Sequence, residues 1–167
     1  MKKLLILLFA FAFSNGLIAQ EKRASPLVEK TESVDNVEVK IQYGETSAKG
    51  REIFGNLVPY GKVWRTGANE ATVIEFKQDL KLNGQLVKAG KYSLFTIPGE
   101  EKWTVIINSI WNQWGAYNYD ESKDILRFEV DSKQIDKHEK LSLGITEEGS
   151  FQLMWEETAI EFTISKA

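Results

Sequence analysis

Two segments of this chain concentrate the residue types that hold or transform a small molecule. The first is Trp64-Arg65-Thr66-Gly67-Ala68-Asn69-Glu70. Arg65 offers a planar fork of donors, Asn69 both donates and accepts, and Glu70 accepts. Gly67 frees the backbone to turn tightly, so these groups can converge on one point. That pattern suits a ligand-orienting site. It equally suits an Arg65–Glu70 ion pair bracing a long connection, with Trp64 as a core plug. The second segment, Trp111 to Asp120, sets Trp111, Trp114, Tyr117 and Tyr119 among Asn112, Gln113, Asn118 and Asp120. Flat aromatic faces beside amides and a carboxylate suit a sugar ring, which stacks through its C–H face and hydrogen-bonds through its hydroxyls. The same rings are suited to packing over the end of a β structure.

The remaining inventory narrows the chemistry. The chain has no cysteine, which removes thiol catalysis, thiolate metal sites and redox exchange. Its one histidine, His138, sits in the charged run Asp136-Lys137-His138-Glu139-Lys140 and reads as a solvated surface residue. Ser-His-Asp and Cys-His schemes therefore lose their usual base, and zinc sites built from His and Cys lose their ligands. Asp120, Glu121 and Asp124 crowd one loop, but the Gly-punctuated ligand ladder of a calcium loop is missing, so the loop reads as a solvated acidic turn. No metal ligand set and no cofactor are expected. Glu70 and Asp120 are the pair to consider for a cofactor-free glycosidase, which needs two carboxylates ~5–10 Å apart. A chain with 24 acidic side chains offers many such pairs.

The elements that must position these segments are strands. Val37, Val39, Ile41 and Tyr43 alternate with polar residues, the period of a half-buried strand. Ala71–Phe76 follows, then Leu80–Val87 folded about Asn83-Gly84, a dipeptide that accepts the positive φ angles of a type I′ turn. Tyr92–Ile97 pairs with Trp103–Ile107 around Pro98-Gly99, and the consecutive Val105, Ile106 and Ile107 suggest a central strand covered on both faces. Ile125–Val130, Leu141–Ile145, Phe151–Trp155 and Ile160–Ile164 close the chain. About ten short strands without a long helical period predict an all-β fold, an antiparallel β-sandwich of jelly-roll or immunoglobulin-like type. The expected organisation is a targeting segment at 1–19, a polar N-terminal segment at 20–36 and one domain at 37–167.

The targeting reading rests on Lys2 and Lys3, the apolar run Leu4–Phe13, the break at Ser14-Asn15-Gly16 and the small Ala19. The apolar run is too short to span a bilayer, which takes ~20 apolar residues, so a cleaved signal and a periplasmic or secreted bacterial protein are expected. Without Lys2 and Lys3 the balance is 19 basic against 24 acidic side chains, a net charge of about −5. Charges of both signs are scattered, which argues against nucleic acid as a partner.

Three dense words inside Gly50–Asp120 carry a family resemblance: Gly61-Lys62-Val63-Trp64-Arg65-Thr66-Gly67-Ala68-Asn69-Glu70, Ala89-Gly90-Lys91-Tyr92-Ser93-Leu94-Phe95-Thr96-Ile97-Pro98 and Gln113-Trp114-Gly115-Ala116-Tyr117-Asn118-Tyr119-Asp120. Lys49-Gly50-Arg51, Ile53-Phe54-Gly55 and Leu57-Val58-Pro59-Tyr60-Gly61 add to it. Together they resemble a bacterial family catalogued as domain of unknown function 2911. The resemblance implies an exported β-rich domain and supplies no catalytic residues. Tyr43-Gly44-Glu45-Thr46-Ser47-Ala48 departs from the Tyr-Ser-Arg-Pro of relatives, so no role of that arginine carries over. The leading expectation is a non-enzymatic module binding a small molecule, glycan or envelope partner through Trp64, Arg65, Asn69, Glu70, Trp114, Tyr117 and Asn118. The alternatives are a purely structural envelope protein and a hydrolase using a carboxylate pair.

Overall fold

The computed structural model describes residues 23–167, so the expected targeting segment at 1–19 lies outside the described residues. The elements are β1 (Leu27–Val34), β2 (Val37–Gly44), β3 (Thr72–Phe76), β4 (Leu80–Leu82), β5 (Gln85–Val87), β6 (Gly90–Ile97), β7 (Lys102–Asn108), a 3-10 turn (Glu121–Lys123), β8 (Asp124–Ile145) and β9 (Ser150–Lys166). All pairings are antiparallel. They join into one nine-stranded sheet in the order β1-β2-β3-β6-β7-β8-β9-β4-β5. The all-β antiparallel expectation holds. In place of two separate sheets, hydrogen bonding runs through a single one.

Two differences in the strands have physical causes. Residues 27–34, expected as part of a polar segment, form β1, which pairs along its whole length with β2. As an edge strand it is mostly exposed and carries Glu29, Lys30, Thr31 and Glu32, so it lacks the apolar alternation that marks a half-buried strand. The last four expected strands fuse into two. β8 spans 22 residues and β9 spans 17. Register shifts between Gln134 and His138 and between His138 and Ser142 let the ladder continue through the polar stretch that reads as a connection. His138 accordingly lies inside β8, half-buried and opposite Glu156.

Where signals are local, the residues behave as expected. Asn83 (φ 48°) and Gly84 (φ 78°) take the two left-handed positions of the β4–β5 turn. Val105, Ile106 and Ile107 are fully buried on opposite faces of β7. Val105 and Ile107 join the main core, whereas Ile106 packs with Phe95 and Ala71 in a second, smaller cluster. Burying an aliphatic side chain of this size contributes about 1.5–3 kcal/mol. The main core draws Val39 and Ile41 of β2 and Trp103 of β7 together with Leu82 of β4 and Phe151, Leu153 and Phe162 of β9. Strands from both ends of the sheet thus share one apolar interior.

Candidate functional site

The long connection between β2 and β3 is anchored in the core by aromatic side chains. Trp64 stacks on Trp155 of β9 with ring centroids 5.9 Å apart and an interplanar angle of 18°. Phe54 meets Trp103 edge-on at 4.7 Å and approaches Trp64 and Trp155 at 5.9 Å each. The core-plug reading of Trp64 is therefore correct. Its backbone also pairs with β6, Trp64 N donating to Thr96 O at 2.7 Å and Thr96 N to Trp64 O at 3.0 Å.

Beyond Trp64 the chain turns back toward β3 through buried hydroxyls that sequence reasoning passed over. Thr66 is wholly buried. Its Oγ1 lies 3.1 Å from Thr96 Oγ1, and its carbonyl accepts from Thr72 Oγ1 at 2.8 Å. The left-handed positions of this turn are Thr66 (φ 57°) and Asn69 (φ 64°), not Gly67. Gly67 serves close approach instead, since a Cβ there would lie 3.1 Å from Thr72 Oγ1 and 3.4 Å from Gly44 O. Asn69 Nδ2 donates to Ser25 O at 3.3 Å, tying the turn to the chain just before β1.

The Arg65–Glu70 ion pair does not form. Glu70 pairs with Arg23, a residue outside the segment and invisible to local spacing. Burial works to raise the Glu70 pKa, but the Arg23 hydrogen bond, the residue's own backbone N–H and the Arg23 charge outweigh it, and the pKa is lowered. Arg65 is left without a carboxylate among the described residues, and its Nε is buried with no hydrogen-bond partner.

This leaves a cleft of about 430 Å³ lined by Trp64, Arg65 and Asn69 from the turn, by Arg51 and Lys62 earlier in the connection, and by Trp155 from β9. Trp155 is 1% exposed, and its indole Nε1 is a second buried donor without a partner. Arg51 is fixed by its own backbone turn, Nε donating to Ala48 O at 2.9 Å and Nη2 to Ser47 O at 2.7 Å. Sequence reasoning did not assign Arg51 or Lys62 to the site; their place in family words quoted above is the one signal that could have pointed to them. Trp155 gave no such signal, because it reads as one more apolar position in the alternation of β9.

The aromatic segment lies next to this turn but outside the cleft. Glu70 and Trp114 form an antiparallel bridge, with Ala71 N donating to Gln113 O at 3.0 Å and Gly115 N to Asn69 O at 2.9 Å. Ala116 and Tyr119 pack on the second cluster over Phe95 and Ile106, with Tyr119 edge-on to Phe95 at 5.1 Å. Trp114 is 57% and Tyr117 84% exposed, and Asn118 is exposed beside them. Glu70 lines a smaller depression with Trp111, Asn112 and Gln113. The seven expected site residues thus divide: Trp64, Arg65 and Asn69 line the cleft, Glu70 flanks it, and Trp114, Tyr117 and Asn118 face solvent.

The acidic loop is internally committed. Asp120 accepts from Ser122 N at 2.9 Å as the cap of the 3-10 turn, and hydrogen bonds from Ser122 hold its pKa below the usual carboxylate value. Arg127 pairs with Glu121 at 3.0 Å and with Asp124 at 2.7 Å. Tyr119 Oη donates to Asp124 at 2.6 Å and accepts from Arg127 at 2.7 Å. Burial foremost, then the Asp124 hydrogen bond, push the Tyr119 pKa up to about 12. Glu70 and Asp120 are thus both shifted toward the ionised form, the opposite of what a general acid needs. Among the described residues no group of three or more His, Cys, Asp or Glu is placed to hold a metal, and no helix is long and apolar enough to cross a membrane.

Comparison with curated proteins yields no match, and comparison with solved structures yields none. The family described as "Protein of unknown function (DUF2911)" matches residues 25–164, which takes in every strand except the last two residues of β9. The chain belongs to the DUF2911 family.

Proposed function

We propose that this chain is an exported, non-enzymatic binding protein that holds a small molecule in the cleft at Trp64, Arg65 and Asn69. The observation that carries the reading is that two residues lining the cleft, Arg65 and Trp155, each carry a buried donor, Nε and Nε1, without a partner among the described residues. A buried donor without an acceptor costs about 1–3 kcal/mol, and a ligand acceptor removes that cost. The volume, about 430 Å³, lies within the range of small-molecule sites. The sheet that frames the cleft is read as folded over, its two ends facing each other across the shared core as in a sandwich. The contact of Trp64, on the β2–β3 connection, with Trp155 of β9 supports that reading.

A thermal-shift screen of neutral and charged small metabolites and short glycans tests the binding role. Compounds that raise the melting temperature of the wild type should lose that effect in Arg65→Gln while keeping it in Tyr117→Ala. A screen whose hits all survive Arg65→Gln, or which yields none, returns the protein to a purely structural role.

A further inference from the structure

Resting on the binding reading above, we infer that the cleft is an oxyanion site, recognising a phosphate, sulfate or carboxylate group on its ligand. Three cationic side chains line it, Arg51, Lys62 and Arg65, and no carboxylate does. This is unusual in a chain with a formal net charge of −3. Four acidic residues adjoin the lining in sequence, and none of them lines the cleft: Glu45 pairs with Lys140, Glu70 with Arg23 and Glu156 with Lys137, while the exposed Glu52 accepts from Asn56 Nδ2 at 3.5 Å. Of the chain's arginines, Arg23 and Arg127 are ion-paired. Arg51 and Arg65 have no carboxylate within salt-bridge distance among the described residues, and both line the cleft.

The donor set sharpens the assignment. Guanidinium, ammonium and indole N–H groups donate and do not accept. A neutral hydroxyl would answer the unpartnered Arg65 Nε and Trp155 Nε1, but it would leave the half-buried guanidinium charge without a counter-charge. Charge taken out of water is costly unless it is paired. An oxyanion satisfies both demands, because its several acceptor oxygens meet an Arg fork and a second donor through short, charge-assisted bonds. The roles then separate. Arg65 and Trp155 supply the buried contacts, while the exposed Arg51 and Lys62 raise the local anion concentration at the rim. Trp64 and Trp155 give the rest of the ligand an aromatic wall.

Isothermal titration calorimetry on the protein covering residues 20–167, at low and at high sodium chloride, tests this with three probes. They are inorganic phosphate, glucuronate and glucose, the last matching glucuronate without its charge. The expected result is saturable binding of phosphate, glucuronate or both, weaker in high salt, with glucose at least tenfold weaker than glucuronate if glucuronate is the one that binds. Which charged probe binds distinguishes a phosphate ligand from a carboxylate one. Arg65→Gln should weaken that binding by about tenfold or more. Lys62→Gln, at an exposed position whose side chain makes no ion pair or hydrogen bond among the described residues, should weaken it by about two- to threefold and flatten the salt dependence. Glucose binding as tightly as glucuronate would overturn the oxyanion assignment and leave the binding cleft standing. Charged probes that fail to bind while neutral compounds from the thermal-shift screen bind through Arg65 would do the same. Charged probes whose binding is unchanged in both variants would place the anion elsewhere and overturn it as well.

Discussion

Gly44 closes β2 against the backbone of the cleft turn, and replacing it with alanine is a sharp test of that packing. A Cβ at position 44 would stand 2.0 Å from the Ala68 carbonyl oxygen and 2.8 Å from its carbonyl carbon. Contacts below 3.0 Å essentially never occur at real Cβ atoms, so the two backbones must part by about 1 Å or more. Neither can give easily. Ala68 N donates to Gly44 O at 3.1 Å, and the turn is pinned through Thr66 to Thr72 and Thr96. Overpacking of this kind costs about 1–3 kcal/mol, and a backbone partner that cannot rotate away puts Gly44→Ala at the upper end, about 3 kcal/mol. For a domain of this size that is a melting-temperature drop of about 6–12 °C. Gly84→Ala is the control: its Cβ would meet nothing within 4 Å, and its only strain is a φ of 78°, worth about 1–2 kcal/mol. Thermal unfolding followed by circular dichroism should therefore rank wild type above Gly84→Ala and Gly84→Ala above Gly44→Ala. If Gly44→Ala melts with the wild type, the turn is not pressed against β2 and the cleft geometry derived from it fails.

Other expectations concern the charged groups. The Tyr119 pKa is raised from 10.0 to about 12, so its contribution to stability is full below pH 10 and is lost as pH rises toward 12. Phenolate absorbance lost in Tyr119→Phe should lie near pH 12; a loss near pH 10 would contradict the Asp124–Tyr119–Arg127 network. Glu70 has a lowered pKa, so its pairing with Arg23 stabilises the fold above the ordinary carboxylate range and fades as pH falls through the folded value. Both side chains are more than a third exposed, so Arg23→Ala should cost only about 0.5 kcal/mol near neutral pH. Denaturant unfolding should show that difference vanish in acid, and a difference that persists there would contradict the pairing.

What the sequence disclosed followed the range of each interaction. Asn83-Gly84 and Val105-Ile106-Ile107 were legible because turn chemistry and two-faced burial are written in adjacent residues. β1 was not, since an edge strand gains its order from β2 and carries Glu29, Thr31 and Glu32 on exposed positions. The continuity of β8 was hidden by the charged run Asp136–Lys140, which the ladder crosses with shifts of register. At the site, Arg65 and Asn69 stood out by residue type, but their partners did not. Arg23 reaches Glu70 from 47 residues away, and Trp155 arrives from β9 at the far end of the chain. The exposure of Trp114 and Tyr117 was equally beyond local pattern. It depends on which side chains of the segment the Phe95–Ile106 cluster takes in, and those are Ala116 and Tyr119.

Whether the cleft or the neighbouring aromatic face takes the ligand can be read from a nitrogen–proton correlation spectrum of the labelled protein titrated with phosphate and with glucuronate, at the indole and arginine Nε–H signals. The Trp155 indole and Arg65 Nε–H signals should move together and saturate while those of Trp111 and Trp114 stay in place. Movement confined to Trp111 and Trp114, or no movement at Arg65 and Trp155, would contradict binding in the cleft.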